Sequence, residues 1–235
     1  MGLRKSIKNW FYGPERPEQQ EKHLNHSYSQ EGEDLVLDRL LEGKNVGFFV
    51  DVGAHDPERF SNTYMFYKRG WTGLNIDALP GTKSKFEQSR PLDITVECGV
   101  SSDESELTYY MFNEPALNTF DKEEAKKKDG IHNGSYFIKE TIPVKTYPLA
   151  TLLGEYLPKN QPIDFLTIDV EGLDLQVLKS NNWLKYTPMY VLVEELNFSL
   201  EQDFSDSKVH VYMKSIGYEL IAKTVNTLFY KNKTS

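Results

Sequence analysis

The residues best suited to chemistry are acids that end short apolar runs. Asp51 closes GFFVD and is followed by Gly53, Ala54 and His55, and Asp77 closes TGLNID. Asp169 and Glu171 follow IDFLTI, and Glu194 and Glu195 end MYVLV. A glycine after an apolar strand lets a ligand approach the backbone closely. The acid beside it attracts a positively charged amino group, and a carboxylate at Asp77 can accept both hydroxyls of a ribose. An acid with glycine, then a second acid one strand later, suits an adenosine-containing ligand.

A dinucleotide would need a glycine-rich pyrophosphate loop, G-x-G-x-x-G. Here Gly53-Ala54-His55-Asp56-Pro57-Glu58 has one glycine, and Asp56 and Glu58 would repel a diphosphate. A sulfonium nucleoside carries no phosphate, so the loop favours S-adenosylmethionine over NAD. Asp169, Glu171, Glu194 and Glu195 form an all-oxygen set at adjacent strand ends. Asp169, Glu194 and Glu195 can hold Mg²⁺ or Mn²⁺, whose charge would acidify an acceptor hydroxyl. Without a metal, Asp169 or Glu171 is the general base, and His55 is a third group able to take the proton. Successive residues on a strand face opposite ways, so one of Glu194 and Glu195 is expected to point into the site. The bland alternatives are that Glu171 caps the next helix and that Glu195 and Asp77 are solvated.

These acids are positioned by an alternation of buried strands and helices. Strands are expected at 47–52, 72–77, 94–100, 163–170 and 189–196, each a short apolar run. Helices are expected at 35–41, after a cap at Ser29, and at 61–69, 81–89, 148–156, 173–180 and 205–216. Tyr218–Lys223 and Thr227–Lys231, separated by Val225-Asn226, read as a closing hairpin. The fold class is therefore α/β, a doubly wound, mostly parallel sheet with an antiparallel C-terminal hairpin. Residues 1–27 read as an arm or linker and 28–235 as one domain. An insertion covers about 103–141, with 113–140 strongly charged and 123–129 a solvated run. Tyr109, Tyr110, Phe112, Tyr136 and Phe137 flank it and can stack on a sugar or cover the sheet edge.

The bulk composition narrows the partners. The chain has 235 residues and a net charge of -8, which argues against a nucleic-acid backbone as partner. The single cysteine, Cys98, excludes an internal disulfide and a cysteine-built zinc site, and a reducing, cytoplasmic location is expected. No apolar run is long enough to span a bilayer. Met1-Gly2-Leu3-Arg4-Lys5-Ser6 has the spacing of an N-myristoylation signal, and residues 2–12 could touch a membrane surface weakly. A frayed basic start is the plainer reading. Asn-X-Ser/Thr triplets at Asn133 and Asn197 are read as chance matches.

The motifs in their order resemble the FkbM-type methyltransferases. The resemblance is carried by Ser29-Gln30 with Glu33-Asp34, FFVDVGAHDP (48–57), Ser61-Asn62-Thr63 and GWTGLNID (70–77). Gly99-Val100-Ser101-Ser102 and IDVEG (168–172) with Val177-Leu178 complete it, from about residue 28 to 231. It implies a Rossmann-like methyltransferase fold using S-adenosylmethionine, with O-methylation of a glycan or sugar-bearing metabolite. It also implies that Asp51, Gly53 and Ala54 line the methionine part of the cofactor and that Asp77 holds the ribose. Gly99 and Val100 would lie against the adenine, and Gln30 and Asn62 would touch the cofactor carboxylate or the acceptor. The chain departs from the family at Asp77-Ala78, at Tyr147-Pro148-Leu149 and at Asp174, which leaves the acceptor class open. The competing readings are a nicotinamide-dependent oxidoreductase and a catalytically silent member acting as an interaction module.

Overall fold

The computed structural model describes residues 24–196, 198–201 and 203–233. The myristoylation signal, residues 2–12, most of the expected arm and Asn197 lie outside the described residues.

Seven strands form the main sheet: β1 (Phe48–Val52), β2 (Thr72–Asp77), β3 (Ile94–Glu97), β7 (Phe165–Ile168), β8 (Tyr190–Glu194), β9 (Tyr218–Lys223) and β10 (Thr227–Asn232). Their order across the sheet is β3-β2-β1-β7-β8-β10-β9. All neighbours are parallel except β10, which runs antiparallel to both β8 and β9. Three further strands, β4 (Gly99–Val100), β5 (Ser105–Phe112) and β6 (Ile138–Tyr147), make a separate sheet in the order β4-β6-β5.

The helices are α1 (Glu33–Leu40), α2 (Tyr64–Lys68), α3 (Thr82–Ser89), α4 (Lys122–Lys128), α5 (Leu149–Tyr156), α6 (Asp174–Lys179) and α7 (Lys208–Ser215). Side-chain alternation in the strands divides the core between the two sheet faces. Phe48, Val50 and Val52 pack with Leu149, Leu153, Val177 and Met213 of α5, α6 and α7. Phe49 packs on the other face with Leu37 of α1, Phe66 of α2 and Trp71. Among the described residues no helix is long and apolar enough to cross a membrane.

Three local differences separate this fold from the sequence reading. The run 94–100 is not one strand: β3 pairs with β2, and after Cys98 the short β4 pairs with β6 in the second sheet. The sequence pattern gives no sign of β6, a ten-residue strand forming a hairpin with β5. Its residues are mostly half-buried or exposed, and Pro143, which has no N–H to donate, sits within it. Ser29 is not the residue next to α1, which begins after Gly32 in a left-handed turn, but its hydroxyl reaches the first turn and accepts from the Asp34 N–H at 3.3 Å. The Asp34 carboxylate folds back in return to accept from the hydroxyls of Ser27 and Ser29 and the backbone N–H of Tyr28.

Candidate active site

Strand order reverses at β1, which has β2 on one side and β7 on the other. Open parallel sheets take ligands at such a switch point, beyond the carboxyl ends of the strands. A cleft opens there with about 1060 Å³ of empty space, its mouth included. Gln30, Gly53, His55, Asn62, Asp77, Gly99, Val100, Asp169, Glu171 and Glu194 all line it.

Gly53 follows β1 at φ 86, and a Cβ there would overlap the backbone carbonyl of Asp169. The close approach that glycine permits is thus between the ends of β1 and β7. Its N–H and that of Ala54 both donate to the Ile76 carbonyl of β2, at 2.9 and 3.2 Å. The loop is pinned further by Asp77, whose two carboxylate oxygens accept from the backbone N–H groups of His55 (2.8 Å) and Leu79 (2.7 Å). Burial pushes the Asp77 carboxyl above its ordinary range, and these two hydrogen bonds counteract part of the shift. Each oxygen keeps a lone pair for a ligand hydroxyl.

His55 and Phe60 hold left-handed backbone, at φ 53 and 58, which for non-glycine residues persists only where surroundings enforce it. Burial lowers the His55 pKa, so the ring is neutral at neutral pH, and its buried Nε2 has no hydrogen-bond partner. Asn62 donates through Nδ2 to Thr167 Oγ1 of β7 at 3.0 Å, tying the loop after β1 to the neighbouring strand.

Asp51 and Ala54 do not line the cleft. Alternation turns Asp51 to the Phe49 face, where it accepts from the Thr63 hydroxyl at 2.9 Å, and burial pushes its pKa up to about 6. Beside it lies Arg90, fully buried and paired with buried Asp93 at 2.7 Å. Arg90 also donates to Thr63 Oγ1 (3.0 Å) and the Pro57 carbonyl (3.3 Å), so this network braces the loop from behind.

At the ends of β7 and β8, Asp169, Glu171 and Glu194 offer carboxylate oxygens within 4.8 Å of one another. Asp169 opens to solvent through the cleft but is otherwise walled by protein. Burial raises the pKa of all three, and the like charges of the cluster raise those of Asp169 and Glu194 further, so the cluster favours binding a proton between them. Glu171 is opposed by Lys128 of α4, whose ammonium pairs with its carboxylate. Lys128 is buried, within the stretch 123–129 that the sequence presents as a solvated run. The Thr119 hydroxyl donates to the Glu171 carbonyl at 2.7 Å. Asp174 accepts from the N–H groups of Val170 and Gly172, both at 3.1 Å, and fixes the turn.

Glu195 does not join the cluster. It points to the opposite side of the strand end, where it accepts from Ser207 Oγ at 2.6 Å. The oxygens that could hold a hard dication are therefore those of Asp169, Glu171 and Glu194. Of the aromatic residues flanking 113–140, Tyr109 lines the cleft, with Phe120 4.6 Å away in the same wall. Glu31, just before α1, and Glu33, its first residue, enter the cleft, and Glu31 is clamped to Asn226 by hydrogen bonds of 2.8 and 2.9 Å. Glu31, Thr167, Phe120 and Lys128 carry no sequence signal that marks them, because only the folded topology brings them to the cleft.

No curated protein matches the chain. Among solved structures, a TehB-like SAM-dependent methyltransferase from Corynebacterium glutamicum is similar, at 11% identity and a TM-score of 0.43. The match covers 86% of this chain and 88% of that one, and it is too distant to carry an argument. The model of the methyltransferase FkbM domain matches residues 51–220, from Asp51 at the end of β1 to the middle of β9. Spanning well over half of the chain, this match makes the protein a member of the FkbM methyltransferase family.

Proposed function

We propose that this chain transfers a methyl group from S-adenosylmethionine to a hydroxyl of a glycan or glycosylated metabolite. The observation that carries the reading is the meeting of Asp169, Glu171 and Glu194 in the same cleft as Gly53 and Asp77. The cleft suits the cofactor: Asp77 keeps free lone pairs, and no diphosphate-binding glycine loop stands at the switch point. S-adenosylmethionine supplies, when bound, a methyl group already activated by its sulfonium.

The chain's own residues do the rest. Asp77 accepts the ribose hydroxyls, and Gly99 and Val100 bound the adenine end. Gln30 and Asn62 reach either the cofactor carboxylate or the acceptor. Asp51 and Ala54 act from outside the cleft, by holding the loop that follows β1. A sugar hydroxyl is a poor nucleophile, so it needs a base in hydrogen-bond reach. Asp169 fills that role: Glu194 carries the proton of their shared pair, and Glu171, paired with Lys128, orients the acceptor. His55, neutral and with a free Nε2, is the second group able to receive a proton. Alignment of acceptor and donor in a closed cleft supplies the larger part of the acceleration.

A second reading has Asp169, Glu171 and Glu194 hold Mg²⁺ or Mn²⁺, favoured by their all-oxygen convergence. Chelation followed by add-back of either ion separates the two, because only the metal reading loses and regains activity. The unpaired, buried Cys98 fits action in a reducing compartment. The deciding experiment is calorimetry with S-adenosylmethionine and with NAD, followed by labelled methyl transfer to a glycan panel. Binding of NAD alone would replace this reading with the oxidoreductase, and binding of neither would favour the silent interaction module.

A further inference from the structure

The cleft is divided by charge along the sheet. On the side of β2 and β4 its walls are apolar, from Ile76, Ala78, Leu79, Cys98, Val100 and Phe120. With Asp77 at the ribose, the base lies on that side and the reacting end faces β7 and β8. There the charged groups are Asp169, Glu171 and Glu194, with Glu31 and Glu33 from the start of α1 and the turn before it, beside the neutral Gln30, Asn62, Thr167, Asn226 and Thr227. Among the described residues lining the cleft there is no lysine or arginine. Two cations stand beside it, and each is engaged: Lys128 with Glu171, and Arg59 with Glu114 through hydrogen bonds of 3.0 and 3.2 Å.

Even with Glu194 protonated against Asp169, the remaining carboxylates accept hydrogen bonds and keep this half of the cleft negative, so it is matched by O–H donors and repels anions. A separate observation concerns Phe60. Its ring lines the same cleft and is 40% exposed, and its backbone is held at φ 58. The Arg59 guanidinium covers one face of the ring at 4.1 Å, and this sparsely populated conformation leaves the rest of its apolar surface open to the ligand. Hydroxyl donors on one edge and C–H groups on another are what an uncharged sugar ring presents.

We infer that the acceptor half of the cleft selects an uncharged polyhydroxylated ring and rejects sugars bearing a phosphate or carboxylate near the reacting hydroxyl. This rests on the methyl-transfer reading above and adds charge selection to it. The test is labelled methyl transfer by the full chain to matched probes: methyl hexosides, their 6-phosphates, the corresponding uronates and the 2-amino-2-deoxy forms. Cofactor binding is followed in parallel by calorimetry.

The neutral hexosides should exceed the phosphates and uronates in kcat/KM by about ten-fold or more, the effect of one like-charge contact in a partly solvated cleft. Equal or better transfer to a phosphate or uronate overturns the inference and leaves the methyltransferase standing. Transfer confined to the amino sugars does the same. Cofactor binding with no transfer to any probe removes the carbohydrate reading and this inference with it. Failure to bind S-adenosylmethionine removes the methyl-transfer reading itself.

Discussion

Lys128, on α4 between the two strands of the β5–β6 hairpin, pairs with the carboxylate of Glu171 just past the end of β7. The second sheet is therefore tied electrostatically to the acids of the main sheet. Three carboxylates this close and this enclosed need such a countercharge, since burial, and after it the like charges, drive them to bind protons.

Replacing Lys128 with Met should expose that dependence. Lys128 holds the Glu171 pKa down against burial, so its loss raises that pKa further. Ionisation of Glu171 then requires a higher pH, and the acid limb of the kcat profile moves upward. Activity at pH 7 should fall about ten-fold or more, while affinity for S-adenosylmethionine changes little. Lys128→Arg should restore most of the profile. An unmoved acid limb in Lys128→Met would show that the pair only holds the hairpin in place.

Asp77→Ala removes the acceptor for two backbone N–H groups and, under the proposed function, for the ribose. Cofactor affinity should drop by about 1–3 kcal/mol, read by calorimetry. Asp77→Asn, which keeps one acceptor oxygen, should lose less. An unchanged dissociation constant in Asp77→Ala would reject the ribose assignment.

Asp169→Asn tests the base. The amide keeps the shape of the side chain but cannot take a proton, so kcat should fall about 10²-fold or more. Binding of S-adenosylmethionine should stay within about two-fold of the parent. The reverse pattern, weak binding with near-normal turnover, would move Asp169 from proton transfer to cofactor contact.

Which parts were readable from the chain follows from burial. β1, β2, β7 and β8 are almost wholly buried, so they read as short apolar runs, and the acids after them mark the cleft. β6 sits in a small sheet with one wet face, and its polar residues and Pro143 resemble a loop. The choice between Glu194 and Glu195 depended on where β8 ends, which pleat parity alone does not say. Asp51 illustrates the opposite case: its place beside Gly53 suggests a ligand contact, yet strand alternation sends it to the face of Arg90. Lys128 lies 43 residues from Glu171 in a run of lysines, and nothing local distinguishes it from its exposed neighbours.

That buried position makes Asp51 a pH probe of the fold. Its pKa stands near 6 in the folded chain against an ordinary 3.8, because burial outweighs the attraction of Arg90 and the Thr63 hydrogen bond. The folded state thus binds this proton more tightly than the unfolded state does. The corresponding stability is fully present below pH 3.8 and is lost as the pH rises through about 6. A shift of about two units corresponds to about 3 kcal/mol. Asp51→Asn, which cannot ionise but still accepts from Thr63, escapes this loss. Denaturant unfolding of both proteins at about pH 4.5 and about pH 8 should show the variant gaining on the parent at the higher pH, by about 2–3 kcal/mol. A constant difference across that range would mean that Arg90 and Thr63 already keep Asp51 ionised at the ordinary pKa, and that the brace behind the cofactor loop is a permanent ion pair.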